Sequence, residues 1–226
     1  MSIKLKLLYV GLAILFIATL WPSEPSEEKV ASIRIWNAHV NEQGQLDVLG
    51  VVLGKTTLKE AEVILHTQSE RALFIDIQSK EHKSDTLEAY FPTSPDRAKL
   101  FLELDASEEL FTDIKKRGYK ATLFPSGNAK VAVAPEQTAD VEATIVKSLT
   151  YVPPISLTPS LVEKNFGKAD RKLNDGSGNI HILYPALGLD VVIAREGKPL
   201  LQFVAPENFD RLLELLDVDD AKEMPK

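Results

Sequence analysis

The chain has no cysteine among its 226 residues, which excludes a disulfide scaffold, thiolate zinc sites, a cysteine nucleophile and a lipid-bearing cysteine together. Histidine is scarce. His39, His66, His82 and His181 stand apart from one another, and none has the three- or four-residue spacing of a zinc-binding helix. No Gly-x-Ser-x-Gly elbow, P-loop or Gly-x-Gly-x-x-Gly run occurs. Neither a metal, a cofactor nor a catalytic residue is therefore expected. Positive charge is also in short supply. Lys4 and Lys6 are the only charged residues of the first 21, so the remainder carries 24 bases against 33 acids. A basic nucleic-acid-binding surface is not expected.

What is present begins with one apolar run. Leu7 to Trp21 reads LLYVGLAILFIATLW behind Lys4 and Lys6, a pattern that enters membranes. Fifteen residues at about 1.5 Å each span roughly 22 Å against a hydrocarbon core of about 30 Å, short for a spanning helix and long for a signal core. Sites for signal cleavage are poor. A cut after Leu20 leaves leucine at the last position, and a cut after Ala18 leaves Phe16 two positions earlier. An uncleaved anchor is favoured over a cleaved signal, with the lysines at the cytoplasmic headgroups and Trp21 at the far interface. Either way the body lies outside the cytoplasm, in the periplasm. Residues 22–28 (PSEPSEE) read as a linker.

The body alternates strands with four capped amphipathic helices. Thr57 caps a helix to Leu65 with Glu60 completing a capping box. Thr158 caps another to Phe166, with Pro159 in its first turn and Gly167 after its end. Two more run from Ser107 to about Lys116 and from Pro206 to about Leu216. Period-two patterning predicts strands at 30–40, 46–53, 72–77, 87–91, 99–104, 119–124, 130–134, 141–152, 180–184, 189–194 and 200–204. The stretch 141–152 also fits a helix through Val141, Ile145 and Leu149, but its Thr-Tyr-Val-Pro-Pro ending favours a strand.

These elements recur. Thr57 and Thr158 open helices 101 residues apart, and Ser107 and Pro206 open the next pair 99 apart. At the latter offset Leu102, Leu104, Ala106 and Leu110 fall on Leu201, Phe203, Ala205 and Phe209. The expected fold is α+β: two tandem helix-plus-antiparallel-meander modules behind one N-terminal transmembrane helix. Residues 1–21 form the anchor or signal, 22–28 the linker, 29–118 the first module, 119–216 the second and 217–226 a solvated acidic tail.

From about Leu149 to Phe209, the run LTYVPPISLTPSLVEKNFGKADRK, a hairpin, and then LYPALGLDVVIAREGKPLLQFVAP resembles small modules of bacterial envelope proteins. These are the SmpA/OmlA type of outer-membrane assembly lipoprotein and the tandem-repeat β-lactamase inhibitor proteins. Phe166-Gly167 matches the Phe-Gly or Leu-Gly with which the family's helix ends. The first half, with Gly50-Val-Val-Leu-Gly54-Lys-Thr-Thr57 before its helix, looks like a divergent copy. The chain departs from the lipoproteins in lacking the lipid-bearing cysteine. The resemblance implies a non-enzymatic, protein-binding or scaffolding module of the cell envelope.

The expected partners are the inner membrane, through residues 7–21, and an envelope protein. Candidate partner-binding residues are Trp36, Tyr90, Phe91, Tyr151 and Tyr184, aromatics near strand ends whose alternative role is core packing. Open sheet edges offer a second route, strand addition by an extended peptide. His181 is expected on the solvent side of its strand, out of phase with Ile180 and Ile182. Asn174, Asp175, Ser177 and Asn179 form a tight oxygen-rich loop lacking the bidentate Glu of a calcium site. Two other function classes remain. One is a binder of a small apolar or lipid ligand between the modules; the other is a carboxylate hydrolase, for which no pair of acids is marked out by spacing.

Overall fold

The computed structural model describes residues 34–76, 85–92, 94, 96–124, 128–216 and 222–223. The anchor and linker of the sequence reading lie outside them. No helix among the described residues is long and apolar enough to cross a membrane.

Local sequence builds the elements as anticipated where caps and alternation are strong. Helix α1 (Leu58–Ile64) starts at Thr57, whose side chain accepts from the Glu60 backbone at 3.3 Å while Glu60 Oε2 accepts from the Thr57 backbone at 2.9 Å. Helix α2 (Glu108–Arg117) is capped by Ser107, with Glu108 and Glu109 in the first turn and Lys115, Lys116 and Arg117 in the last. That charge order matches the helix dipole. Helix α3 (Thr138–Glu142) is short; α4 (Pro159–Phe166) is capped by Thr158; α5 (Asp210–Leu215) follows a 3-10 turn at Pro206–Asn208.

A small antiparallel sheet holds β1 (His39–Val40), β2 (Leu46–Val48) and β3 (Val51–Val52). Residues 46–53 are thus a hairpin and not one strand. Leu49 and Gly50 both take positive φ, +61° and +90°, and Asp47 Oδ1 accepts from the Gly50 backbone at 2.8 Å. A Cβ on Gly50 would also meet Ile64 at 3.0 Å. Upstream, Arg34–Asn37 is a 3-10 turn where a strand over 30–40 was expected, and among the described residues of that stretch only β1 is a strand.

The main sheet has eleven strands: β4 (Glu70–Asp76), β5 (Thr86–Phe91), β6 (Lys99–Leu104), β7 (Ala121–Leu123), β8 (Asn128–Ala132), β9 (Val146–Val152), β10 (Arg171–Asn174), β11 (Ile180–Tyr184), β12 (Leu189–Ile193), β13 (Leu200–Val204) and β14 (Lys222–Glu223). Their order is β14-β10-β11-β12-β13-β9-β6-β5-β4-β8-β7, and every neighbouring pair is antiparallel. Strand β9 is the centre. Outward from it run β6, β5 and β4 on one side and β13, β12 and β11 on the other. The β7–β8 hairpin, read from sequence as opening the second module, is bonded to β4 of the first half. Strand β9 begins at Val146 because 138–142 is α3, so the helical alternative for Val141 holds at its upstream end.

One sheet face is the main core. Leu87, Ala89, Phe91, Leu100, Leu102, Leu149, Tyr151, Val191, Leu201 and Phe203 are all buried on it, in register from strand to strand. Leu58 and Ala61 of α1, Ile114 of α2, Val141 of α3 and Val162 of α4 belong to the same cluster, with Ile35, Leu46, Val48 and Val51 of the N-terminal part. The opposite face is covered differently. Phe209, Leu212 and Leu216, in and around α5, pack on Leu173, Leu183 and Val204 in the second half.

Candidate functional site

The five aromatic candidates do not form one patch. Phe91 and Tyr151 are fully buried and Tyr184 is 5% exposed, so these three take the core-packing role. Tyr151 donates to Asp96 Oδ2 at 2.5 Å, and Tyr184 donates to the Gly167 carbonyl at 2.9 Å. Trp36 is half-buried, edge-on to Phe166 at 5.2 Å, and Phe166 in turn meets Tyr184 at 5.8 Å. Tyr90 alone sits on the outer face of the first half, half-buried and stacked on Phe101 at 4.8 Å.

Two polar clusters lie on the same outer face. His181 has the strand phase expected of it, but its face is not solvent: the residue is 4% exposed. Its Nδ1 lies 2.8 Å from Asp190 Oδ2, and its Nε2 lies 3.7 Å from Asp175 Oδ2. Leu173, opposite His181 in register, belongs to the cluster under α5. Burial opposes the His181 cation, but the Asp190 hydrogen bond and the charges of Asp190 and Asp175 outweigh it, so the imidazole is held above its ordinary value. The 4%-exposed imidazole and the 1%-exposed carboxylate thus form a buried pair between the neighbouring strands β11 and β12.

Glu88 and Glu103 form the second cluster, directly opposite one another across β5 and β6. Burial pushes Glu88 up to about 7, Thr86 partly offsets this through its hydrogen bond at 3.1 Å, and the Glu103 charge adds to it. Glu103 goes the other way. Burial opposes its charge too, but Lys147 at 2.8 Å, Arg211 at 3.4 Å and the Ser148 hydroxyl at 3.0 Å hold its carboxyl below the usual range. Those partners come from β9 and α5, so Glu103 ties β6 to the second half. It also borders a polar cleft of about 230 Å³ lined by Asp85, Asp105, Glu108, Phe111 and Lys147. No spacing in the sequence pairs residues 88 and 103; only the strand register does. Among the described residues no cluster of three or more histidines and carboxylates is arranged to hold a metal.

The remaining feature is the edge of the sheet. Ala121, Thr122 and Leu123 of β7 are all exposed, as are Tyr119 at 62% and Leu123 at 70%. Gly118 permits the approach: a Cβ there would fall 2.2 Å from Val131 of β8, so only glycine lets the chain leave α2 and turn onto the sheet. Ala132 N donates to Lys120 O at 2.9 Å and Phe124 N donates to Asn128 O at 2.8 Å. Even-numbered residues of β7 therefore turn their backbone groups toward β8. By alternation Ala121 and Leu123 turn theirs outward, where no described strand pairs with them. At the opposite end β14, only two residues long, pairs with β10 through Glu223 with Leu173 and Lys222 with Asn174 and is itself the outermost strand. The tail, read from sequence as solvated, thus supplies a strand.

Sequence patterning located a strand at 119–124 but not its place at the margin, since edge position depends on which strand β8 pairs with. No family model, no curated protein and no solved structure matches the chain.

Proposed function

We propose that the chain is a membrane-anchored, extracytoplasmic protein-binding module of the bacterial cell envelope, without catalysis, that recruits its partner by strand addition at β7. Two related helix-plus-meander halves, joined at β9, form a rigid platform for that edge. The observation that carries the reading is the outward-facing backbone of Ala121 and Leu123, two exposed residues at the end of an eleven-stranded sheet. Anchoring by residues 7–21, and the likeness to SmpA/OmlA-type and tandem-repeat inhibitor modules, supply the location and the binding role. An apolar or lipid ligand between the halves is the weaker reading. The seam at β9 is filled by Leu100, Leu102, Leu149, Tyr151, Leu201 and Phe203, all buried.

The test is a photo-crosslinker placed at Thr122 of the full-length protein in its native envelope, with Ala121→Pro as the control. Proline at an outward-facing position removes a donor without touching the β7–β8 bonds. A reproducible protein adduct that Ala121→Pro abolishes is expected. An adduct indifferent to that substitution, or co-purifying lipid with no protein adduct, overturns the reading.

A further inference from the structure

We propose that the occupant of the β7 edge is an acidic extended segment, its acidic residues alternating with apolar ones. The inference rests on strand addition as the binding mode and adds the chemistry of the partner.

The charge around β7 differs from that of the whole chain. The protein carries a net charge of −7, yet residues 115–120 read Lys-Lys-Arg-Gly-Tyr-Lys, four cations in six positions without an acid. Lys115 and Arg117 are engaged by Asp85 at 2.6 Å and Asp113 at 2.8 Å. Lys116 and Lys120 are exposed at the approach to the strand, and Lys130 lies one strand inward, opposite Thr122. Alternation then divides the edge into two sides. Lys120, Thr122 and the neighbouring Lys130 lie on the outer, polar side; Tyr119, Ala121 and Leu123 lie on the other. An added strand places its own alternate residues above these two rows. Carboxylates on one side and apolar side chains on the other complement them.

The same features disfavour two other occupants. A second copy would add cations and offer no carboxylate to these, since residues 115–124 contain no acid. A lipid surface would also be drawn to the cations and to Tyr119 and Leu123. The outward backbone groups of Ala121 and Leu123 would then enter the bilayer unpaired, and open sheet edges do not occur in hydrocarbon.

The experiment uses the full chain in detergent and three fluorescent ten-residue peptides with one apolar face of alternating valines. Their other face is glutamate, glutamine or lysine. The glutamate peptide is expected to bind at least about tenfold more tightly than the glutamine peptide, with the lysine peptide weakest. That preference should shrink with added salt and disappear in Lys116→Glu/Lys120→Glu, two exposed changes that leave the backbone edge intact. Equal binding of glutamate and glutamine peptides, abolished by Ala121→Pro, overturns acid selectivity while strand addition stands. Binding of none of the three, together with capture by vesicles of anionic phospholipid, overturns both.

Discussion

The two ends of the large sheet differ in how much of their outer face the chain itself covers. Strand β14 pairs with β10, α5 covers Leu173, Leu183 and Val204, and His181 is sealed against Asp190. At the far end β7 is three exposed residues with its outward backbone unpaired by any described strand. The halves share the order of helix, meander and helix, yet their closing helices go to different places. Ile114 of α2 joins the main core, whereas α5 lies on the opposite face. The β14 end therefore has a helix packed on its outer face and a buried ion pair beneath it, whereas the β7 end is a short strand of exposed residues.

The largest expected effect lies at the β14 end. Replacing Asp190 by Asn weakens a buried pair and leaves His181 with Asp175 alone at 3.7 Å. A loss of about 3 kcal/mol is expected, or roughly 6–12 °C in Tm, read by thermal melts. Peptide binding at β7 should be unchanged; loss of both would show that the two ends are not independent. The pH dependence sharpens this. His181 is raised above 6.5 in the folded state, so its contribution is complete below that value and is lost as pH rises through the raised one. In Asp190→Asn the loss of stability above pH 6.5 should flatten.

Next in size is Glu88, on the half that ends in the open edge. Its folded value of about 7 lies above the ordinary 4.5, so its stabilising share is full below 4.5 and is lost as pH rises through 7. Glu88→Gln should remove that loss, of order 3 kcal/mol at most, from denaturant midpoints compared between pH 4.5 and pH 8. The residual slope above pH 6.5 then belongs to His181. If Glu88→Gln leaves the whole profile unchanged, burial between Ala72 and Glu103 is not what sets its titration.

A smaller effect is expected from removing β14. Ending the chain after Leu216 removes β14 and exposes the β10 edge, at a cost of about 1 kcal/mol for the pairing of two residues. Concentration-dependent self-association, measured by sedimentation, should appear in the truncated protein, because a newly bared edge is a template for pairing. Unchanged sedimentation would mean that β14 does not protect that edge.

Much of this arrangement was readable where the deciding interaction is local. Thr57 with Glu60, and Thr158 with Pro159 and Gly167, place helices within a few residues of the signal. Leu200 to Val204 and Ile180 to Tyr184 match strands residue for residue. What was not readable depends on distant partners. Leu49 takes a left-handed conformation that its type disfavours, so the hairpin it makes with Gly50 is hidden inside an apolar run. Arg171–Asn174 and Lys222–Glu223 have weak strand character, and each is extended because it has a neighbour to pair with. His181 has the phase of an outward residue, and only α5, some thirty residues downstream, covers that face.

The smallest expected change in stability carries the comparison furthest. Leu123 is 70% exposed on β7, so Leu123→Lys should shift stability by no more than about 0.5 kcal/mol. Leu183 is fully buried beneath α5, and the same substitution there should unfold the second half of the sheet. The two leucines occupy strands of one sheet and differ in whether the chain itself covers them. If Leu123→Lys leaves the melting curve in place yet weakens binding of the glutamate–valine peptide, the apolar side of the edge contributes to recognition beyond charge, because the added lysine would otherwise favour that peptide. If it strengthens binding instead, charge alone selects the partner and the row of Tyr119, Ala121 and Leu123 is a passive margin.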